Sequence, residues 1–417
     1  MITWANLRSS AALWLALPAM FYAGLYIDDV TYTAPSGYGV ESGELAAYGM
    51  AIIAPAVAGA AAWEAGRHRL LGAVRTVSAR PLAEQLFRAA TPVLLLHLLL
   101  IVGALVMARR AVGVWPSDAG WLAVAHLIVI PLGWLIIGWC LGMVLPRSIA
   151  APIAGLGCWA WLSIPHTLAN PWVRHLGGFI DGTSSVTDVR TSAVYTVPWA
   201  VVAGVALALW LFVHMRRRAW GTAACVLVLA ITFVTGRILV ADWGYQRPTS
   251  PRSVAMNCVG AAPIVCVPPE YKQYAEQLRR DALIPLSRLK AAGVTSPREL
   301  RVTSDAVPLE PGTWPLYWSI PPVHSQPDPG QYAVSLAQSA VVGTAVLAGG
   351  SDCRQPSAVA SAWAALVIGV DEQATRQATL ETDWAALQKV RRLPAKEQVD
   401  WFDKTAVSGG HCPRGIS

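Results

Sequence analysis

The sequence predicts an α-helical polytopic membrane protein with a mainly α, disulfide-bonded domain outside the membrane. Seven apolar stretches precede about Val240, each approaching the roughly 20 residues that cross a bilayer's hydrocarbon. Charge follows the same division: fifteen Arg and nine acids lie up to Val240, whereas seventeen bases and sixteen acids lie beyond it. Four of the seven cysteines, Cys258, Cys266, Cys353 and Cys412, also fall in the later part.

In lipid every backbone N–H and C=O must be satisfied within the segment, so each stretch reads as a helix. The spans are expected at Ala11–Tyr26, Ala46–Ala62, Leu86–Ala108, Trp121–Val144, Ile149–Leu168, Tyr195–His214 and Trp220–Val240. The first has only Arg8 ahead of it and Asp28 and Asp29 behind it, rather than a small-x-small cleavage site, and is read as a retained span. The second is rich in Ala and Gly and is followed by Glu64.

Short basic loops stay on the cytoplasmic side. With the N-terminus inside, the cytoplasmic segments hold ten Arg, among them Arg67, Arg69, Arg75, Arg80 and Arg88, and the opposite segments hold five. Six spans then return the chain to the cytoplasm at Met215–Arg218, and a seventh carries it out again. The predicted divisions are 1–218 for a six-helix membrane domain, 219–240 for the seventh helix and 241–417 for an extracytoplasmic domain. A net charge of +7 is therefore a topology and lipid-headgroup signal, and no nucleic-acid partner is expected.

The exported part opens with a Pro-rich linker, Arg247–Pro251. Helices are expected at Pro269–Ala292, with Pro285 kinking or ending it, and at Gln331–Ala348, Ala358–Gln373, Thr379–Arg391 and Ala395–Thr405; Glu299–Thr303 alternates like a strand. Four cysteines in an oxidising compartment allow three pairings, and Cys258–Cys266 with Cys353–Cys412 is favoured. No CxxC pair occurs, and His411 is the one imidazole close to these thiols, so a metal site is not expected. Neither HExxH nor GxSxG occurs, and the chain is not expected to be an enzyme. His97 and His126 fall within spans and are the intramembrane polar candidates, since a buried ionisable group is costly unless it is bonded or used.

The loop after the second span carries most of the mechanistic information. In Glu64–Pro81, Leu70, Leu71, Val74 and Val77 recur at helical spacing, with Arg67, Arg69 and Arg75 elsewhere. A short helix at the membrane surface is predicted, suited to docking on a cytoplasmic protein. Six spans with both ends inside, this helix with its Glu-Ala-Gly-Arg start, and a Pro-containing outer segment between spans five and six resemble the membrane subunit of a type-2 ABC transporter. The resemblance covers roughly residues 1–218. It implies that Glu64, Arg67, Arg69, Leu70, Leu71, Val74 and Arg75 belong to the coupling helix that receives the ATPase stroke. It also implies that residues 169–190 fold back as short re-entrant helices. The seventh span, the exported domain and the short N-terminal segment depart from that pattern.

The chain contains no GxxxxGK[ST], so ATP and Mg²⁺ would be bound by a separate ATP-binding cassette subunit at the cytoplasmic face. The expected function is that of a permease moving a lipophilic or peptide-like compound, paired with a second permease copy as a homodimer or heterodimer and surrounded by membrane lipids. The alternative is a non-transporting scaffold or sensor whose outer domain binds a protein or ligand.

Overall fold

In the computed structural model, residues 8, 10–31, 34–70, 82–168, 170–180, 185–215, 217–304, 307–318, 328–349 and 356–409 are described. The chain forms two compact units, one of residues 1–184 and 189–249, the other of residues 185–188 and 250–417.

Among its described residues the first unit is mainly helical. Its helices are α1 (Ala11–Thr31), α2 (Gly39–Tyr48), α3 (Met50–Leu70), α4 (Leu82–Val112), α5 (Gly120–Val144), α6 (Arg147–Ser163), the short α7 (Pro171–Leu176), α8 (Ala193–His214) and α9 (Arg218–Leu239). Five of them, α1, α4, α5, α8 and α9, are long and apolar enough to cross a membrane. The pair α2–α3, bent by 44°, makes a sixth candidate. These helices make the chain a multi-pass membrane protein.

The expected fifth span is shorter than its window. α6 has 17 residues, about 25 Å of helix, and is followed by a 3₁₀ turn at Ile164–Thr167. Pro165 sits in that tightened turn, and a proline ring at this point ends the i→i−4 ladder. The first span runs on to Thr31 rather than stopping at Tyr26, so Asp28 and Asp29 belong to its last turns. Pro18, Pro55, Pro92, Pro131, Pro152 and Pro198 all lie inside helices.

The main departure from the sequence reading concerns residues 39–48. Glu41 and Glu44 look like acids of an outer loop, yet they belong to α2, a helix buried over nearly its whole length. Small residues permit this. A Cβ on Gly43 would lie 2.1 Å from the Gly120 carbonyl oxygen, and one on Gly120 would lie 2.6 Å from that of Gly39, so α2 meets the start of α5 backbone to backbone. α3 uses the same device farther along α5. A Cβ on Gly138 or Gly142 would meet the Ala58 or Ala62 carbonyl oxygen at 2.2 and 2.1 Å. Gly138-x-x-x-Gly142 facing Ala58 and Ala62 is small-residue packing, which lets membrane helices gain dispersion contact where the hydrophobic effect contributes little.

The second unit combines a small sheet with helices. Strands β1 (Asn257–Val259), β2 (Ile264–Val267), β3 (Glu299–Arg301) and β4 (Thr313–Pro315) lie in that order; β1 pairs antiparallel with β2, and the remaining pairs are parallel. A 3₁₀ segment at Pro269–Tyr274 leads into α10 (Ala275–Ala292), followed by α11 (Pro329–Leu347), α12 (Ala358–Ile368), α13 (Glu372–Gln377), α14 (Glu381–Val390) and α15 (Ala395–Gly409). Pro285 neither ends α10 nor divides it; the helix continues to a left-handed Gly293 cap. Strand β3 covers only the first part of Glu299–Thr303, and the expected helix from Ala358 stops at Ile368, where Gly369 takes the left-handed conformation. Trp314, Leu278, Leu289 and Tyr332 are core residues, and the Tyr332 hydroxyl donates to the Leu278 carbonyl at 2.9 Å. Burial, with Asp281 nearby, pushes that phenol's pKa up, so it remains a donor.

Cys258 and Cys266 are opposite each other in the β1–β2 register and form a disulfide. Cys353 and Cys412 lie outside the described residues. Closing a loop of this length removes denatured-state entropy worth about 2 kcal/mol, so the C258S/C266S double variant should melt roughly 5 °C lower in the transition of this unit. Calorimetry of the full chain checks this; an unchanged transition would show that the clip contributes no stability.

Candidate functional site

Among the described residues of the membrane unit, two polar assemblies lie at opposite ends of α5. The first surrounds the end of α3. Glu64 is the hub: its Oε1 accepts from the Ser10 hydroxyl at 2.8 Å and from the Ala11 N–H at 3.0 Å, while Oε2 pairs with Arg67 at 3.4 Å. Ser10 in turn accepts from the Ala12 N–H. The first N–H groups of a helix have no partner within it and carry partial positive charge, so a carboxylate there both caps α1 and favours its dipole. Glu64 is buried, which its pairing makes tolerable.

Two arginines tie the same end to neighbouring helices. Arg69 donates to the Val144 carbonyl at 2.8 Å, capping the end of α5, and the Arg147 guanidinium lies over the Trp63 ring at 4.9 Å. Glu64, Arg67, Arg69 and Leu70 thus belong to α3 itself rather than to a separate surface helix. Leu70, the last residue of α3, is 68% exposed. Leu71, Val74 and Arg75 lie outside the described residues.

The second assembly is built on α2. Glu44 is paired with Arg190 and accepts from the Tyr195 hydroxyl at 3.0 Å. Glu41 adds a second buried acid on the same short helix. Tyr195 packs edge-on against His126, ring centroids 5.5 Å apart. The His126 ring is satisfied on both sides: Trp199 Nε1 donates to Nδ1 at 2.7 Å, and Nε2 is 2.6 Å from the Gly178 carbonyl. An indole N–H can only donate and a carbonyl can only accept, so the imidazole is neutral with its proton on Nε2. His97 lies apart from this group, with Nε2 3.3 Å from the Leu127 carbonyl.

The structure therefore gathers Glu64, Arg67 and Arg69 at one end, with Ser10, Trp63 and Arg147 joining them unforeseen. It draws His126 into the other assembly with Glu44, Arg190, Tyr195 and Trp199, which the sequence reading left in loops or at a span edge. A signal for α2 does exist in retrospect. Glu41 and Glu44 stand at i and i+3, with Gly39 and Gly43 at i and i+4, immediately before an apolar run. Among the described residues, no group of three or more His, Cys, Asp or Glu could hold a metal ion.

Residues 265–412 match a family described as a domain of unknown function, DUF7224. No curated protein and no solved structure matches the chain.

Proposed function

We propose that this chain is the permease subunit of a transporter powered by a separate ATP-binding cassette subunit, which binds ATP and Mg²⁺, and that it moves a lipophilic or peptide-like compound. In this reading α1, the bent pair α2–α3, α4, α5, the short α6, α8 and α9 make seven crossings. The N-terminus and the end of α3 face the cytoplasm, the second unit lies outside, and a second permease copy completes the pathway. The order of elements supports it: α3 ends in the basic residues Arg67 and Arg69 ahead of α4, and short helices at Ile164–Thr167 and Pro171–Leu176 lie between α6 and α8.

The observation that carries the proposal is the linkage at the end of α3. A displacement delivered at Leu70 reaches α1 through Glu64, α5 through Arg69 and α6 through the stacking of Arg147 on Trp63. That is what a coupling element must do, because a stroke confined to one helix end would leave the pathway unmoved.

The test is purification of the tagged full chain from its native membranes. An ATPase should co-purify, and Leu70→Asp should remove it or lower its ATP turnover about tenfold while leaving the chain's melting unchanged, since Leu70 is exposed. If no ATPase accompanies the chain and binding by the outer domain persists without one, the scaffold or sensor reading replaces this one.

A further inference from the structure

A groove of about 560 Å³ opens between α1, α3 and α6 in the membrane unit, and its surface is mostly apolar. Small residues form its floor: Pro55 and Gly59 on α3 face Ala151 and Gly155 on α6. A Cβ on Gly59 would stand 3.4 Å from the Ala151 carbonyl oxygen, and one on Gly155 the same distance from that of Pro55, so the two helices approach closely along its base. Trp14 and Trp63 form its walls, and Trp14 is 76% exposed. From Trp63 to Pro55 is eight residues of helix, about 12 Å, so the groove runs from the end of α3 toward the middle of the bundle.

Its two ends differ in chemistry. The deep end, at Pro55 and Gly155, is lined by apolar groups. At the other end Trp63 carries the Arg147 guanidinium over its ring, and Arg147 is itself exposed. Arg8, also exposed, precedes the Ser10–Glu64 cap on the same side. An apolar groove with a cationic group at its mouth is complementary to an amphiphile with an acyl tail and an acidic headgroup.

We infer that this groove is a binding site for an anionic membrane lipid, with one acyl chain lying over Gly59 and Gly155 and the phosphate against Arg147. The site does not depend on the permease reading; a scaffold with the same helices would bind the same lipid. Neighbouring lipid of any kind would wet the outside of the bundle, but only a chain inserted between the walls of Trp14 and Trp63 requires the small floor.

The experiment is native mass spectrometry of the full chain in non-ionic detergent with phosphatidylglycerol, phosphatidylcholine or glycerol phosphate added. Phosphatidylglycerol should be retained about fivefold better than phosphatidylcholine, matching the roughly 1 kcal/mol that one arginine contributes to an anionic lipid surface, and glycerol phosphate should not be retained. Gly59→Leu, whose Cβ has room and whose side chain fills the channel, should reduce retention of both lipids. Arg147→Gln should abolish the preference between headgroups while keeping the chain-dependent part. Equal retention of the two lipids by the unaltered chain, or unchanged retention in Gly59→Leu, would overturn the inference. So would retention of glycerol phosphate alone, or a lipid-free dimer that Gly59→Leu dissolves, since a second copy would then occupy the groove.

Discussion

Glu44→Ala should destabilise the membrane unit by about 3–5 kcal/mol, because it leaves the Arg190 guanidinium buried with its principal carboxylate gone. Arg190→Ala should cost a similar amount for the converse reason. The informative comparison is the double variant. If the cost of each single change is an uncompensated charge, E44A/R190A should melt well above the sum of the two, with a coupling of a few kcal/mol. Tyr195→Phe removes one hydrogen bond to the same carboxylate and should cost only about 1 kcal/mol. Thermal melting of detergent-solubilised protein followed by size exclusion reads all four. Additive losses, or a Glu44→Ala protein as stable as the original, would show that this pair does not hold α2 in place.

Gly142→Val should be nearly as damaging, through packing rather than charge. Its Cβ would lie 2.1 Å from a backbone oxygen of α3, which cannot rotate away as a side-chain end can, so α3 and α5 must separate along their shared face. Overpacking of this kind costs about 3 kcal/mol or more, and separation also strains the Arg69 cap on Val144. Gly157→Ala is the control. Nothing lies within 4 Å of its added methyl, and a helix gains up to about 1 kcal/mol from Ala over Gly, so the variant should melt at or slightly above the unaltered protein. Equal behaviour of the two variants would refute the close-packing account.

Much of the architecture was legible in the residues because length and apolarity report directly on the cost of exposing backbone to lipid. The helices α1, α4, α5, α8 and α9 each lie within a few residues of an apolar window, and the Cys258–Cys266 pair follows from proximity in sequence. What hydropathy cannot register is a charge made tolerable by a distant partner. Glu44 and Arg190 are 146 residues apart, and each alone looks like a solvated loop residue; only tertiary pairing turns the segment around Glu44 into a buried helix. Glu64 illustrates the same limit. Its place before a basic stretch suggested an exposed surface element, whereas its carboxylate faces inward to the start of α1. The groove was illegible for another reason, since its floor is defined by side chains that are missing, and a scatter of Gly, Ala and Pro across three segments carries no periodic signature.

The bend at Gly49 has a mechanical meaning. α2 grips α5 near Gly120 while α3 grips it near Gly142, so one continuous stretch of chain holds a rod about 37 Å long at both its extremities. A rod held in that way cannot tilt at one extremity alone. Rocking begun beside Val144 would therefore be felt beside His126 and Tyr195 near the far extremity, with the 44° elbow lying between the two grips.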